Sequence, residues 1–449
     1  MSRQLYEKIH DEWKDLPDKT TPVLAADLEH FEQGIYDNSA NMALKEIYGD
    51  NSLDLTSHNK TAGERTIQHG YGVEASGYGS YAGGSNSVAS GNYAYACGAG
   101  TKATGSYSHA EGEATEASSY AAHAEGYNTK ATKSDAHAEG NSTNANGSGS
   151  HSEGEYTTAG QDAAHAEGYH TTTSGFSSHS EGYYTTASGS QAHAEGNNAT
   201  ASGSESHSEG NYTTASGSTS HAEGNGSKAI GANSHAEGYY TVAGFEQSPN
   251  SSNAQHSEGC NTVAAGNYCH AEGYQTTAGQ NPAATAAHAE GSETVAVSSY
   301  SHAEGYKTTA AQNATHAEGY STQAAAPYAH AEGYSTVAAG QAAHAEGNST
   351  QATAPYAHAE GNGTMAIGEA QNVIGKFNIP NPSYVHIVGG GTSSSDRKNI
   401  YTLDWQGNAI YAGDVANGQG VSLNSLKESI DYILSIIQPS EENTESGEA

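Results

Sequence analysis

The chain has 449 residues, 55 of them Gly and 30 Tyr, while Phe, Trp and Met together number nine. Much of its apolar share is Ala, which excludes a conventional globular domain with a bulky aliphatic core over most of the length. Asp and Glu outnumber Lys and Arg by 50 to 16, a formal charge of −34, so nucleic acid and anionic membrane surfaces are not expected as partners. No run of 18 apolar residues occurs, and Met1-Ser2-Arg3-Gln4 opens no apolar signal core, so neither membrane insertion nor a standard secretory signal is expected. Cys97, Cys260 and Cys269 are too few for a disulfide framework.

Residues 1–50 have helical patterning over 3–14 and 25–48, broken at Leu16-Pro17 and Thr21-Pro22. The stretch Trp13-Lys14-Asp15-Leu16-Pro17, followed by Thr21-Pro22-Val23-Leu24-Ala25-Ala26-Asp27-Leu28 and Phe31-Glu32-Gln33-Gly34-Ile35, resembles the N-terminal attachment segment of tail fibre and baseplate proteins from phages of Gram-positive bacteria. The resemblance implies docking to phage tail or baseplate proteins, in a virion or tailocin particle made in the host cytoplasm. The alternative is an ordinary helical cap. Residues 51–66 read as a linker.

Low hydrophobicity with high charge also fits disorder, but residues 67–370 carry a regular period. His-(Ala/Ser)-Glu-Gly recurs eighteen times, fourteen residues apart save for steps of 21 and 18. The pairs are His109 with Glu111, His123 with Glu125, His137 with Glu139, His151 with Glu153, His165 with Glu167, His179 with Glu181, His193 with Glu195, His207 with Glu209, His221 with Glu223 and His235 with Glu237. After the longer step come His256 with Glu258 and His270 with Glu272. After the next come His288 with Glu290, His302 with Glu304, His316 with Glu318, His330 with Glu332, His344 with Glu346 and His358 with Glu360. The two irregular steps, at 245–255 and around Asn281-Pro282, read as loops bulging from a regular stack. The period continues upstream in degraded form through Tyr95-Ala96-Cys97-Gly98, Tyr81-Ala82-Gly83-Gly84 and Ile67-Gln68-His69-Gly70. Each unit splits in two, as Thr186-Ala187-Ser188-Gly189 follows His179-Ser180-Glu181-Gly182 by seven.

A short fixed period with a Gly in each half predicts an all-β parallel β-solenoid, a thin two-sheet roll with Gly-assisted turns. Strand alternation places His and Glu on one face and the small residue between them inside. A face this uniform predicts an interface, most simply the axis of a homotrimer. At ~4.8 Å per rung the repeats would make a rod roughly 100 Å long. The units, with Met365-Ala366-Ile367-Gly368 nearest the pattern, are similar to the head repeats of trimeric autotransporter adhesins. That resemblance implies a left-handed roll trimerising side by side. The chain departs from it in carrying His and Glu where those repeats carry aliphatics, and the secretion route is not carried over.

Residues 371–418 read as a C-terminal β-region, with a hairpin broken at Gln406-Gly407-Asn408. The block is similar to one near the C-terminus of phage tail fibre and tailspike-like proteins; no autoproteolysis is carried over. In 419–438, Leu423, Leu426, Ile430, Ile433 and Ile437 make a two-heptad coiled-coil seam that favours more than two strands. Beyond Pro439 the acidic tail, 439–449, is expected to be disordered.

Three readings of the ladder differ in chemistry. As scaffold, Glu favours protonated His and the pairs set register between chains. As a metal column, a subset of rungs binds a transition metal, which requires ligands converging near 2.1 Å. As surface polarity it does nothing. No unique nucleophile–base set is visible, so no enzymatic activity is expected. The combined expectation is a homotrimeric phage tail fibre or tailspike-like protein. It would bind a bacterial surface glycan or protein receptor through its tip or through Tyr183, Tyr184, Tyr239 and Tyr240, which suit stacking on sugars. Turn packing between rungs is the alternative for these tyrosines, and a non-phage cell-surface adhesin or extracellular fibre the alternative for the whole. The flat Thr/Ser face also raises ice binding, discouraged because Thr185-Thr186 and Thr213-Thr214 are adjacent and so on opposite faces.

Overall fold

A computed structural model describes residues 53–54, 63–245, 253–280, 283–412 and 423–437. The helices expected within 1–50, the tips of both irregular loops and the acidic tail lie outside the described residues. The chain divides into two units, 1–169 and 170–449.

In the first unit each rung is a five-residue strand, a turn, a two-residue strand and a second turn. His109–Glu113 and Glu116–Ala117 are one such pair. Successive rungs pair in parallel and in register, His109 with His123 and then His137. The degraded upstream units obey the same register, Ile67 pairing with Tyr81 and Tyr95 with His109. This is the 14-residue parallel β-solenoid the period predicts. Its interior is made of small residues: Ser108 and Ala110, just before and within the long strand, and Thr115 and Ala117, just before and within the short one, are all essentially inaccessible.

The turns correct one expectation. Two residues per rung take the left-handed conformation, seven apart, and they are rarely Gly. Ala114, Ala121, Asn128 and Asp135 have φ of 56°, 51°, 54° and 58°. Each donates its N–H back to the preceding rung, as Ala114 does to the carbonyl of Ala99 at 2.8 Å. Gly is required at the fourth position of the long strand. Gly112 has φ of 114°, and a Cβ there would lie 2.0 Å from the carbonyl oxygen of Gly126. The Gly of the second half serves close approach between rungs instead, and Ser119, Lys133 and Gln161 stand at the same position elsewhere.

The second unit repeats this architecture from His179 to His358. Both irregular steps are absorbed without loss of register, His235 pairing with His256 and His270 with His288. Beyond the last His rung, Asn372–Lys376 pairs in parallel with Tyr384–Gly390. Asn399–Asp404 then pairs antiparallel with that strand and with Ala409–Tyr411, the hairpin expected at Gln406-Gly407-Asn408. Two buried amides close the stack by imitating a further rung. Asn378 accepts from the N–H of Met365 at 2.7 Å and donates to its carbonyl at 3.0 Å. Gln371 accepts from the N–H groups of Ile367 and Gly368 and donates to the carbonyls of Asn381 and Tyr384.

A helix follows over Leu423–Ile437. Ile430 and Ile433 of the expected seam are about half exposed, at 55% and 52%. The side chains of Leu423, Leu426 and Ile437 lie outside the described residues. Among the described residues no helix is long and apolar enough to cross a membrane.

Candidate functional site: the histidine–glutamate ladder

The outward face of each His-(Ala/Ser)-Glu-Gly strand carries His and Glu two residues apart, while the Ala or Ser between them is fully buried. Register aligns all copies within a unit. In the first unit the imidazoles of His109, His123, His137, His151 and His165 stack with ring centroids 4.6–4.7 Å apart. The stack extends toward the N-terminus through Tyr95 and Tyr81, whose rings lie 4.8 Å apart and 7° from parallel. Cys97 occupies the Glu position opposite Glu111. Burial first, and then the Cys97 thiol beside it, push the Tyr95 hydroxyl up to about 12.

In the second unit the rings from His179 to His344 stack at 4.5–5.0 Å, most of them within 10° of parallel. His358 breaks the series, turned 68° from His344.

Within a rung, Nε2 of His faces Oε2 of Glu. Between His109 and Glu111 the separation is a hydrogen-bonding 3.3 Å. In the first unit Glu125, Glu139, Glu153 and Glu167 stand 3.6–3.8 Å from the His of their own rung. In the second unit Glu181, Glu258, Glu272, Glu290 and Glu304 stand 3.7–4.0 Å away. Glu318, Glu332, Glu346 and Glu360 stand 3.6–4.0 Å away. From His123 to His151 and from His193 to His344, Nε2 is buried without a hydrogen-bond partner. With Nε2 buried, Nδ1 is the ring nitrogen left to reach a neighbouring chain.

The expected electrostatics reverse. For His123, His137, His207, His235, His270, His288, His316, His330 and His344, burial lowers the imidazole pKa below its ordinary value. The neighbouring imidazole in the stack lowers it further. Glu125, Glu139, Glu209, Glu237, Glu272, Glu290, Glu318, Glu332 and Glu346, each in the rung of one of these histidines, only partly oppose the shift. These histidines are neutral at pH 7, so their pairs with Glu are not salt bridges there. At these rungs carboxylates stand beside neutral rings.

Among the described residues, three sets bring ligand atoms within 4.8 Å of one another. They are His193 with Glu195 and His207, His207 with Glu209 and His221, and Glu223 with His235 and Glu237. Glu111, Glu125, Glu139, Glu153 and Glu167 of the first unit belong to none of these sets. Neither do Glu181, Glu258, Glu272, Glu290, Glu304, Glu318, Glu332, Glu346 and Glu360 of the second. Equal spacing in sequence therefore does not bring the ligand atoms of every rung equally close.

The tyrosines pack on each other. Tyr183 and Tyr184 meet edge to face at 4.6 Å, Tyr239 and Tyr240 at 4.5 Å, and Tyr306, Tyr320 and Tyr334 stack in series at 5.0 and 4.9 Å. This favours turn packing, although Tyr183, Tyr184, Tyr239 and Tyr240 each stay about half exposed.

One interior feature escaped the pattern reading. In the four His-Ser-Glu-Gly rungs the buried Ser hydroxyl pairs with the buried Thr across the roll, as Ser152 with Thr157 and Ser180 with Thr185, both at 2.8 Å. Where Ala replaces that Ser, Thr115, Thr129 and Thr143 keep buried hydroxyls with no hydrogen-bond partner. The Ala/Ser alternation in the motif was the available signal.

No protein-family model matches the chain, and no curated protein sequence matches it.

Proposed function

We propose that this chain is the structural and host-attachment fibre of a phage tail or tailocin. It acts as a homotrimer whose ladder lines the threefold axis and whose N-terminal segment docks on the baseplate. The observation that carries the reading is the sameness of the His/Glu face in rung after rung, set over an interior of Ala, Ser and Thr. Such an interior buries little apolar surface, at ~0.8 kcal/mol per methylene, so the roll gains by covering a face with a neighbour. A neutral imidazole donating from Nδ1 to a neighbouring chain's Glu would bind the chains without burying a cation. The half-exposed Ile430 and Ile433 would meet their counterparts in a three-stranded coiled coil. Receptor contact falls to the C-terminal β-region or to the tyrosine-lined turns.

Immunogold labelling with antibody to the C-terminal β-region tests this reading. Label on tail fibres of purified phage or tailocin particles supports it. Label confined to cell walls contradicts it and transfers the protein to the alternative, a cell-surface adhesin.

A further inference from the structure

The geometry points to two transition-metal sites within a single chain, built between neighbouring rungs of the ladder from His193 to Glu237. Three ligand sets converge there, and each combines imidazole with carboxylate. The set of His193, Glu195 and His207 and the set of His207, Glu209 and His221 each offer two nitrogens and one oxygen, a donor set for Zn²⁺, Co²⁺ or Ni²⁺. Glu223, His235 and Glu237 offer one nitrogen and two oxygens.

A second observation points to a ligand. Nε2 of His193, His207, His221 and His235 is buried without a hydrogen-bond partner. In neither tautomer is the nitrogen satisfied by its own rung. As a donor it stands 3.9 Å from the carboxylate, both between His193 and Glu195 and between His235 and Glu237, too far for a hydrogen bond. As an acceptor it faces another acceptor, and a cation between the two would turn that repulsion into coordination.

The size of the gap fits. Tetrahedral ligands 2.0–2.2 Å from Zn²⁺ stand about 3.4 Å apart, so the pair within a rung must close by roughly half an ångström. The atom from the next rung must close further: in the third set Glu223 can swing in, whereas in the first the ring of His207, stacked 4.7 Å from His193 and 3° from parallel, must turn out of the stack to bring its lone pair to the ion.

Stoichiometry follows from sharing. The first two sets share His207, and one ring nitrogen offers a single lone pair, so they hold one ion between them. The third set shares no residue with them and holds a second. The prediction is two ions per chain, not one per His/Glu pair. All ligands of a site come from one chain, so the count is the same for monomer and trimer. Failure here leaves the fibre reading standing, and failure of the fibre reading leaves this one standing.

The test is equilibrium dialysis of the full chain against Zn²⁺ at pH 7.5, with Co²⁺ substitution read by visible absorption. The wild type should retain two ions per chain and give the intense visible bands of tetrahedral Co²⁺. His207→Gln should retain one. So should the double variant Glu195→Gln with Glu209→Gln, which changes only half-exposed carboxylates and guards against a folding defect. His344→Gln, in the same stack but in none of the sets, should retain two. No retained ion overturns the proposal. So does uptake in proportion to all the ladder pairs, or equal loss from His344→Gln and His207→Gln.

Discussion

At the scale of single residues, this roll is decided by atoms that a hydrophobicity profile does not see. A buried hydroxyl without a partner costs about 1–3 kcal/mol, and Thr129 carries one in an Ala rung. Thr129→Val should raise the melting temperature, whereas Ser180→Ala, which strips Thr185 of its 2.8 Å partner, should lower stability by about 1–2 kcal/mol. Thermal melts of the two variants should move in opposite directions; a shift of the same sign in both would contradict the hydroxyl pairing. Gly196 is less forgiving, with φ of 109° and the Gly210 carbonyl oxygen 2.2 Å from where a Cβ would stand. Gly196→Ala should cost about 3 kcal/mol or more. Hydrogen exchange should show the loss centred on its own and adjacent rungs.

The residue scale also sets the pH response. His123, His137, His270, His288, His316, His330 and His344 have folded-state pKa values below the ordinary one, because burial and stacked neighbours disfavour the cation. The unfolded chain therefore takes up protons first as the pH falls. Stability that is full above about pH 6.5 is lost progressively below it, down to the folded-state values. The melting temperature should be lower at pH 5 than at pH 8 at constant ionic strength. An unchanged value would remove the ladder from the stability balance.

At the scale of elements, the sequence makes the long strand plain because His and Glu two apart can share only one strand face, and the fourteen-residue spacing can align them only rung on rung. The role of each Gly was not legible, since spacing alone cannot separate a φ that demands Gly from a close approach that merely favours it. The sign of the His shift was hidden for a similar reason. The Glu beside each His is visible in the sequence, but the stacking and burial that outweigh it appear only when rungs are superposed. The end of the stack was half legible. The hairpin showed in its alternation, whereas Asn378 and Gln371 read as ordinary polar residues. Their buried hydrogen bonds to Met365, Ile367 and Gly368 make them a cap for the last open rung. Asn378→Leu should remove hydrogen-exchange protection from the rungs around Met365 first and leave those near His193 unchanged. Uniform loss along the chain would show that Asn378 has no capping role.

At the scale of the whole molecule, a chain with a formal charge of −34 and a core of Ala gains little from its own burial, and the proposed fibre answers this by association. Cys97, which stands in the Glu column opposite Glu111, reports on that arrangement. If the ladder lines a threefold axis, mild oxidation should cross-link chains through Cys97, and the cross-link should vanish in Cys97→Ser but persist in Cys260→Ser. Native mass spectrometry of the full-length protein tests the central claim most directly. The account predicts three chains at neutral pH and dissociation when Glu is replaced by Lys along several rungs. A monomer that keeps its full β-content would contradict it, because the uniform His/Glu face would then have no neighbour to account for it.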